Sequence, residues 1–527
     1  MGFFNFLKKR NKDISTQKLS IAGKKEAVEW VQDTNYIPLA YEQYQNYYWY
    51  KGDADYLGWF YTRGVMDMGL QQIMAQRFRV NYKDYFWCGA YQESGIKRTH
   101  SGLPRLIVDT LVNCLGIYQT KDVKDDEVNE STTKRLNEIL KENNFKSTFK
   151  KQVAMDLVIG DGAYIVNVSP DYDYPIIEYI DGRNCSFEYI GDKVKSVIIN
   201  KNYEYEKQLY ECYEKRSTKR VYDEEEKKYK TVATIEYNLF CKNGNKGWNQ
   251  VALDTIPQTK DLKNLEYTNI PFMLAVPCIR KMNDETKRGD SIFKGKIELF
   301  DDLDLAISIQ SNTIRASVPV EYVDSNMLEK NGKGEAIPPS TYGKQIVYFR
   351  GSNSFSEDPK GIFTKFYGID FSKLSNEIQE KIKQACVGCI APSTIGYDIS
   401  KKDNAEAQRE KEKATYQTVK DMQDYEQDVL PRLFTMVMAV DDLITNQNAI
   451  PTKTNIQVMF SDYATPSRSE RIEKFKDAYL GGAMSIDRYI QEVYFDEDKA
   501  TQEKEKQALL EAQVKDKLDF NFLEQEQ

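Results

Sequence analysis

Between residues 290 and 440 the apolar residues change their spacing more than once, and that succession limits the folds open to the chain. In DSIFKGKIELFDDLDLAISIQSNTIRASV, residues 290–318, Ile292, Leu299, Leu303, Ile307 and Ile314 fall on one helical stripe. Pro319 stops the pattern, because the residue before a proline is driven out of the helical region. Residues 324–368 are dense in Gly, Pro and Ser, and VPVEYV, QIVYFR and IFTKFY read as three short strands in and around them. Helical spacing returns in FSKLSNEIQEKIKQACVGCI through Leu374, Ile378, Ile382 and Ala385. After Pro392 comes a loop, STIGYDISKKDN, and then a helix whose first turns carry almost nothing apolar. Asp403 is placed as its N-cap, with Glu406 three residues on, close to a capping box. The same helix becomes amphipathic through Val419, Met422, Tyr425, Val429, Leu433, Val437 and Val440. Pro431 inside it predicts a kink, costing roughly 3 kcal/mol if nothing compensates.

The flanks are of mixed class. The aromatic run YEQYQNYYWYKGDADYLGWFYTRG is read as core or interface packing rather than base stacking. PRLIVDTLVNCLG, residues 104–116, predicts a buried helix; residues 121–130 read as a charged linker and 132–159 as mostly helix. From 162 to 253, short β-prone runs separated by turns predict an antiparallel meander, with KRSTKRVYDEEEKKYK as an exposed hairpin tip. NIQVMF predicts a strand, and SRSERIEKFKDAYLGGAMSIDRYIQEVY two helices joined at Gly481 and Gly482. Residues 497–527 read as a polar, acidic helix. The fold class is α+β, and 527 residues leave room for two to four domains.

Chemistry is conspicuous by its shortage. The formal net charge of −8 is unlike that of a protein built to grip nucleic acid, which is usually basic. One histidine, His100, excludes most catalytic triads and metal cages, and neither a GxxxxGK[ST] loop nor a GxGxxG after a strand occurs. Cys386 and Cys389 form a lone CxxC within a helical pattern, read as core thiols. No apolar run reaches membrane-spanning length, and MGFFNFLKKRNK has its basic residues after its apolar ones, the reverse of a secretory signal. Phe6 stands where myristoylation expects Ser or Thr, so this stretch is read as an N-terminal arm. In ELFDDLD, Glu298, Asp301 and Asp302 are read as an acidic stripe facing solvent or a lumen. The enzymatic alternative is a metal-dependent nuclease using Asp301, Asp302 and Asp304.

The order of these pieces resembles the portal proteins of tailed bacteriophages. GDSIFKGKIELFDDLDLAISIQSNTIRASVPVEYV is similar to the helix that enters that family's clip. APSTIGYDISKKDNAEAQREKEKATYQTV resembles its stretch from channel loop into long helix, and SDYATPSRSERIEKFKDAYLGGAMSIDRYI its C-terminal pattern. The likeness covers roughly residues 100–500. It implies an N-terminal helical region and β-rich wing over 1–289, stem helices over 290–317 and 369–390, and a clip over 318–368. A channel loop over 391–404, a long kinked helix and wing return over 405–463, and a helical crown and tail over 464–527 complete it. It implies no catalysis and no cofactor. The partners are other copies in a ring of twelve, double-stranded DNA, terminase, major capsid and scaffolding proteins, and head-completion or tail adaptors. The ring would be assembled in the host cytoplasm and reside in the virion. A head–tail adaptor or minor capsid protein is the structural alternative.

Under that resemblance Ser393, Thr394, Ser400, Lys401, Lys402 and Asn404 belong to a loop projecting toward DNA. Glu406, Arg409, Glu410 and Lys413 face the channel or a subunit seam, which accounts for the bare helix. Glu329, Lys330, Lys333 and Lys344 of the clip dock terminase and adaptors. Acidity fits a bore that lets DNA slide. Each neutralised phosphate adds a slope of about −0.9 in log K against log salt, and a ring multiplies every exposed lysine.

Overall fold

The computed structural model describes residues 36–61, 85–88, 97–116, 118–124, 127–223, 227–242, 248–316, 320–324, 331–333, 337, 345–349, 362–365, 371–397, 412–446, 454–460, 468–494 and 501–511. The chain forms two compact units, one ending at Phe460 and one beginning at Ser461. Among the described residues no helix is long and apolar enough to cross a membrane.

The first unit opens with α1 (Tyr36–Lys51) and α2 (Ala54–Trp59), the latter capped by Asp53 accepting from Asp55 N at 2.9 Å. Their aromatics pack inward: Trp49, Phe60 and Tyr61 are fully buried. Tyr61 OH accepts from Gln45 Nε2 at 2.8 Å and Trp49 Nε1 at 2.9 Å. In α3 (Leu103–Cys114), Ile107 and Leu111 are buried, as is Leu115 at its C-terminal cap, as their four-residue spacing predicts.

The charged linker is instead sheet. Residues of β1 (Tyr118–Lys124) turn back on β2 (Glu127–Val128) and pair antiparallel with a strand far down the chain, Tyr118 opposite Phe460. Helices α4 (Glu130–Glu142) and α5 (Phe145–Val158) follow, with Asn129 accepting from Thr132 N as the cap of α4. Nine residues of α5 are buried, so it is a core helix rather than a surface one.

The meander divides into two sheets. Strands β3 (Asp161–Asn167) and β4 (Ile176–Asp181) leave the antiparallel run β5 (Cys185–Ile190), β6 (Lys193–Tyr205), β7 (Gln208–Asp223), β8 (Lys228–Lys242), β9 (Trp248–Val251) and β10 (Leu265–Tyr267). They pair with β11 (Ala275–Ile279), in the order β11-β3-β4. Pro277 explains why β11 is hidden in the sequence: proline cannot donate to a ladder, and here it sits on an edge strand opposite Ala163. Ala163, Ile165, Cys185, Val197, Ile199 and Ala275 form one apolar cluster drawn from both sheets. The expected hairpin is described on both sides of its tip, with Tyr222 packed edge-on to Tyr229, but its base is not exposed: Arg216 is fully buried and donates to Val166 O at 2.9 Å and Leu274 O at 2.7 Å.

The remainder of this unit is α6 (Ile297–Ala316), a three-stranded module, α7 (Phe371–Cys386), α8 (Lys413–Asn446) and β15 (Ile456–Phe460). The module's β12 (Val320–Asp324) lies between a parallel β13 (Gln345–Phe349) and an antiparallel β14 (Ile362–Lys365). These are the three strands expected from the sequence. Both flanking helices are shorter than expected, because α6 begins only after turns over 292–296 and α7 ends at Cys386. Pro431 lies inside α8, which continues through it for 34 residues. Strand β15 pairs with β1.

The second unit holds α9 (Arg468–Leu480), α10 (Ile486–Val493) and a helix over 501–511, α11. Gly482, at φ +72°, turns the chain between the first two, and Ser485 caps α10 by accepting from Arg488 N at 3.3 Å. Tyr489, Ile490 and Val493 are its buried core, with Tyr479 stacked on Tyr489 at 4.6 Å.

Candidate channel-forming site

The base of α6 is set by a contact that only glycine allows. A Cβ on Gly160, whose φ is +101°, would lie 2.1 Å from Gly289 O, and one on Gly289 would lie 1.8 Å from Gly160 O. Two backbones therefore touch where the β-rich body meets the approach to α6. Ile292 N donates to Leu157 O at 2.8 Å, fastening that approach to the end of α5. Beside it Asp161, fully buried, accepts from Arg288 Nε at 2.5 Å and Nη2 at 2.8 Å, and from Gly289 N at 3.1 Å. Arg288 Nη2 also donates to Gly182 O at 2.8 Å.

Along α6 a second fastening runs in register. Asp304, Ser308 and Asn312 recur every four residues, and they meet Ser101, Thr99 and Lys97 every two. Ser101 N donates to Asp304 Oδ1 at 2.8 Å, Thr99 N to Ser308 Oγ at 2.9 Å and Lys97 N to Asn312 Oδ1 at 3.3 Å. Four helical residues rise about 6 Å and two extended residues about 6.6 Å, so the two spacings match. Asp304 is fully buried, and its Oδ2 also accepts from Trp87 Nε1 at 3.0 Å and His100 Nδ1 at 2.6 Å. Facing a carboxylate, that ring nitrogen is the donor.

This divides the expected acidic stripe. Glu298 and Asp302 are exposed, whereas Asp301 is buried with Oδ2 accepting from Phe86 N at 2.7 Å. Burial pushes Asp301 up to about 7, and nearby Asp304 adds to the rise. The three acids of the nuclease alternative are thus split: Asp301 and Asp304 serve as acceptors inside the packing, and Asp302 faces outward. The physical reason is helical geometry. Residues 301 and 304 share a face that 302 cannot join.

Asp302 instead meets α7, through Lys381 Nζ at 3.2 Å. Lys296 Nζ donates to Ala385 O at 3.1 Å and to Val387 O, supplying donors to the last turn of α7. Gly388, at φ +76°, ends the helix there. Ile382, Ala385, Cys386 and Cys389 are buried, while Glu377, Glu380 and Lys383 point outward, so α7 presents a charged outer face. The core reading of the CxxC pair holds. Burial pushes the Cys386 thiol up to about 12 and raises Cys389 as well. At neutral pH Cys386 is therefore held as the unreactive thiol. Peptide mapping after maleimide labelling should find Cys114 and Cys241, both part-exposed, modified well before Cys386 and Cys389.

The expected loop residues separate into two groups. Ser393 and Thr394 do not project: both are half-buried, and Thr394 Oγ1 lies 2.8 Å from Thr415 Oγ1, whose hydroxyl also accepts from Ala391 N at 2.8 Å. They form a turn seated on the first turns of α8 through Thr394 and Thr415, while the buried Ser393 hydroxyl meets no partner among the described residues. Ser400, Lys401, Lys402, Asn404, Glu406, Arg409 and Glu410 lie outside the described residues, as do the capping pair Asp403 and Glu406 and the clip residues Glu329, Lys330 and Lys344. Lys413 and Lys333 are exposed. The fastening by Asp304, Ser308 and Asn312 was not anticipated, although small polar residues every four positions on an apolar helix were the available signal.

No family model and no curated protein matches the chain. Among the solved structures whose chains it is similar to are three of gene transfer agent particles. One is described as the neck of an empty gene transfer agent particle computed with C6 symmetry, at 10% identity and TM-score 0.39, covering 75% of this chain and 90% of that one. Another is the virion of a native gene transfer agent particle, at 10% identity and TM-score 0.34, covering 73% and 87%. The third is the neck of a native particle computed with C12 symmetry, at 10% identity and TM-score 0.33, covering 74% and 89%.

Proposed function

We propose that the chain is a portal subunit, a purely structural component of a phage-like head–tail junction. Copies associate into a ring of about twelve, through heterologous contacts that close by rotation. Double-stranded DNA enters and leaves along the axis. The observation that carries this reading is the arrangement of α6, the three-stranded module and α7: two packed helices joined by a small β-module at their far end and fastened to a β-rich body at their base. The outward charges of this pair, Glu298, Glu377, Glu380 and Lys383, suit a lumen that does not hold phosphate tightly. The module docks terminase during filling and adaptors afterwards. Capsid and scaffolding proteins surround the ring. The chain performs no chemistry of its own, and the virion is its final location.

Negative-stain microscopy of the purified chain, with mass measured in parallel, tests the proposal. Rings with a central hole are the expected result. A compact monomer or dimer that cleaves DNA with magnesium would overturn it. Within the ring, reversing Lys401 and Lys402 to glutamate should weaken DNA retention and flatten its salt dependence by up to about 0.9 per lost phosphate contact. Unchanged packaging and retention would remove these two residues from the channel.

A further inference from the structure

Three polar side chains are sealed in the core of the first unit where α8 crosses α5. Gln152 is 0% exposed, and Asp156 and Glu426 are 2% exposed. Gln152 Nε2 donates to Asp156 Oδ2 at 2.5 Å and to Glu426 Oε1 at 2.9 Å, so one amide joins carboxyls from two helices. Its Oε1 accepts from Tyr164 OH at 3.3 Å, and Tyr179 OH donates to Asp156 Oδ1. Glu426 Oε2 meets no donor among the described residues.

The groups around the cluster come from every neighbouring element. Asp161 and Tyr164 face it from β3, Tyr179 from β4, Cys185 from β5, Cys278 from β11, Arg280 from just beyond β11, and Asp421, Tyr425 and Arg432 from α8. Tyr118 of β1 stands behind Tyr164. Arg280 is the buried cation among them. Arg288 is committed to Asp161, and Arg432 is exposed. Two ionised carboxylates would therefore share the Gln152 amide and the Tyr179 hydroxyl, with Arg280 as the nearby buried charge and an oxygen of Glu426 left without a donor. An ionised oxygen in that position is far costlier than a neutral one.

We propose that Asp156, Gln152 and Glu426 form a proton-held joint, which keeps α8 docked on α5 and β3 while the carboxyl pair is protonated and lets that stretch of α8 loosen when the protons leave. The inference stands whether or not the chain forms a ring. Burial pushes Asp156 up to about 7 and Glu426 up to about 8, Asp156 adding to the rise at Glu426. The sign follows. The folded chain keeps these protons at pH values where the unfolded chain has lost them. The joint's contribution is complete below the ordinary carboxylate range, near pH 4, and declines as pH rises toward about 8.

Hydrogen exchange on the full chain at about pH 6 and about pH 9, corrected for the intrinsic rate, tests it. In the wild type, opening of residues 419–433 should rise by up to about tenfold per pH unit for each proton lost, while β7 stays protected. Glu426→Gln keeps an acceptor for Gln152 and cannot ionise, so its exchange over 419–433 should depend on pH less steeply, through Asp156 alone. Equal pH dependence in the two proteins would overturn the joint. Infrared spectroscopy supplies a second reading. Asp301 also titrates near neutral pH, so the band that counts is the protonated-carboxyl intensity lost in Glu426→Gln. Such a difference band at neutral pH, bleached through the same window, supports the proposal, and its absence overturns it.

Discussion

Replacing Arg288 with alanine should destabilise the first unit by about 3–5 kcal/mol, the range for removing one partner of a buried pair. The cost comes from what stays behind. Asp161 is fully buried, and without the guanidinium its carboxylate retains Gly289 N at 3.1 Å and a long contact from Gln43 Nε2 at 3.5 Å. Gly182 O loses its side-chain donor too. Lysine should recover only part of the loss, since a point charge cannot span both carboxylate oxygens and a carbonyl. The diagnostic variant removes both charges together: Asp161→Asn with Arg288→Met should cost less than Arg288→Ala alone, because no buried ion is stranded. Denaturant midpoints at neutral pH measure all three. If the double variant proves the least stable, the pair contributes attraction beyond its desolvation, and the ranking argued here is wrong. The consequence extends past stability. This pair adjoins the Gly160–Gly289 contact, so it governs the direction in which the chain leaves the body for α6.

What could be read from the sequence was whatever local chemistry dictates. The helix through Ile107 and Leu111, the three strands of the small module and the turn at Gly482 follow from spacing and turn residues within a few positions of one another. Contacts made at long range were not legible. Strand β1 reads as a linker because its middle is TKDVK, and its partner β15 lies over 330 residues away. Strand β11 hides behind Pro277, which is tolerated only because the strand is at an edge. The start of α6 was placed too early because Ile292 keeps helical spacing, while Gly295, at φ +72°, turns the chain and Gly289 is held against Gly160 across the interface. The candidate site suffered in the same way. Asp301, Asp302 and Asp304 are alike as letters, and only the packing of residues 85–88 and 97–101 against one side of α6 tells them apart.

Asp304→Ala should be the most damaging change on α6 itself, at roughly 3 kcal/mol or more. Three donors converge on this carboxylate, from Trp87 Nε1, His100 Nδ1 and Ser101 N, and all would be left without it. Trp87 is buried, and Trp49 lies against His100 at 5.6 Å and against Phe300 at 6.0 Å, so water reaches the Trp87 side poorly. Asparagine separates charge from shape. Its oxygen can still accept from one or two of the donors, and His100 can change tautomer to accept from the new amide. Trp87 cannot adapt, because an indole nitrogen only donates. Asp304→Asn should therefore fall between wild type and alanine, with tryptophan fluorescence altered more than global stability. Hydrogen exchange decides where the damage goes. Loss of protection confined to residues 97–101 and α6 would mean that the extended segment holds the helix in place rather than the fold as a whole. In a ring, every copy would then carry a misplaced stem helix, and the bore would widen or close without any residue facing DNA having changed. Uniform loss across β6 and β7 as well would mean that the aromatic packing around Asp304 supports the whole first unit, and α6 has no separate fastening.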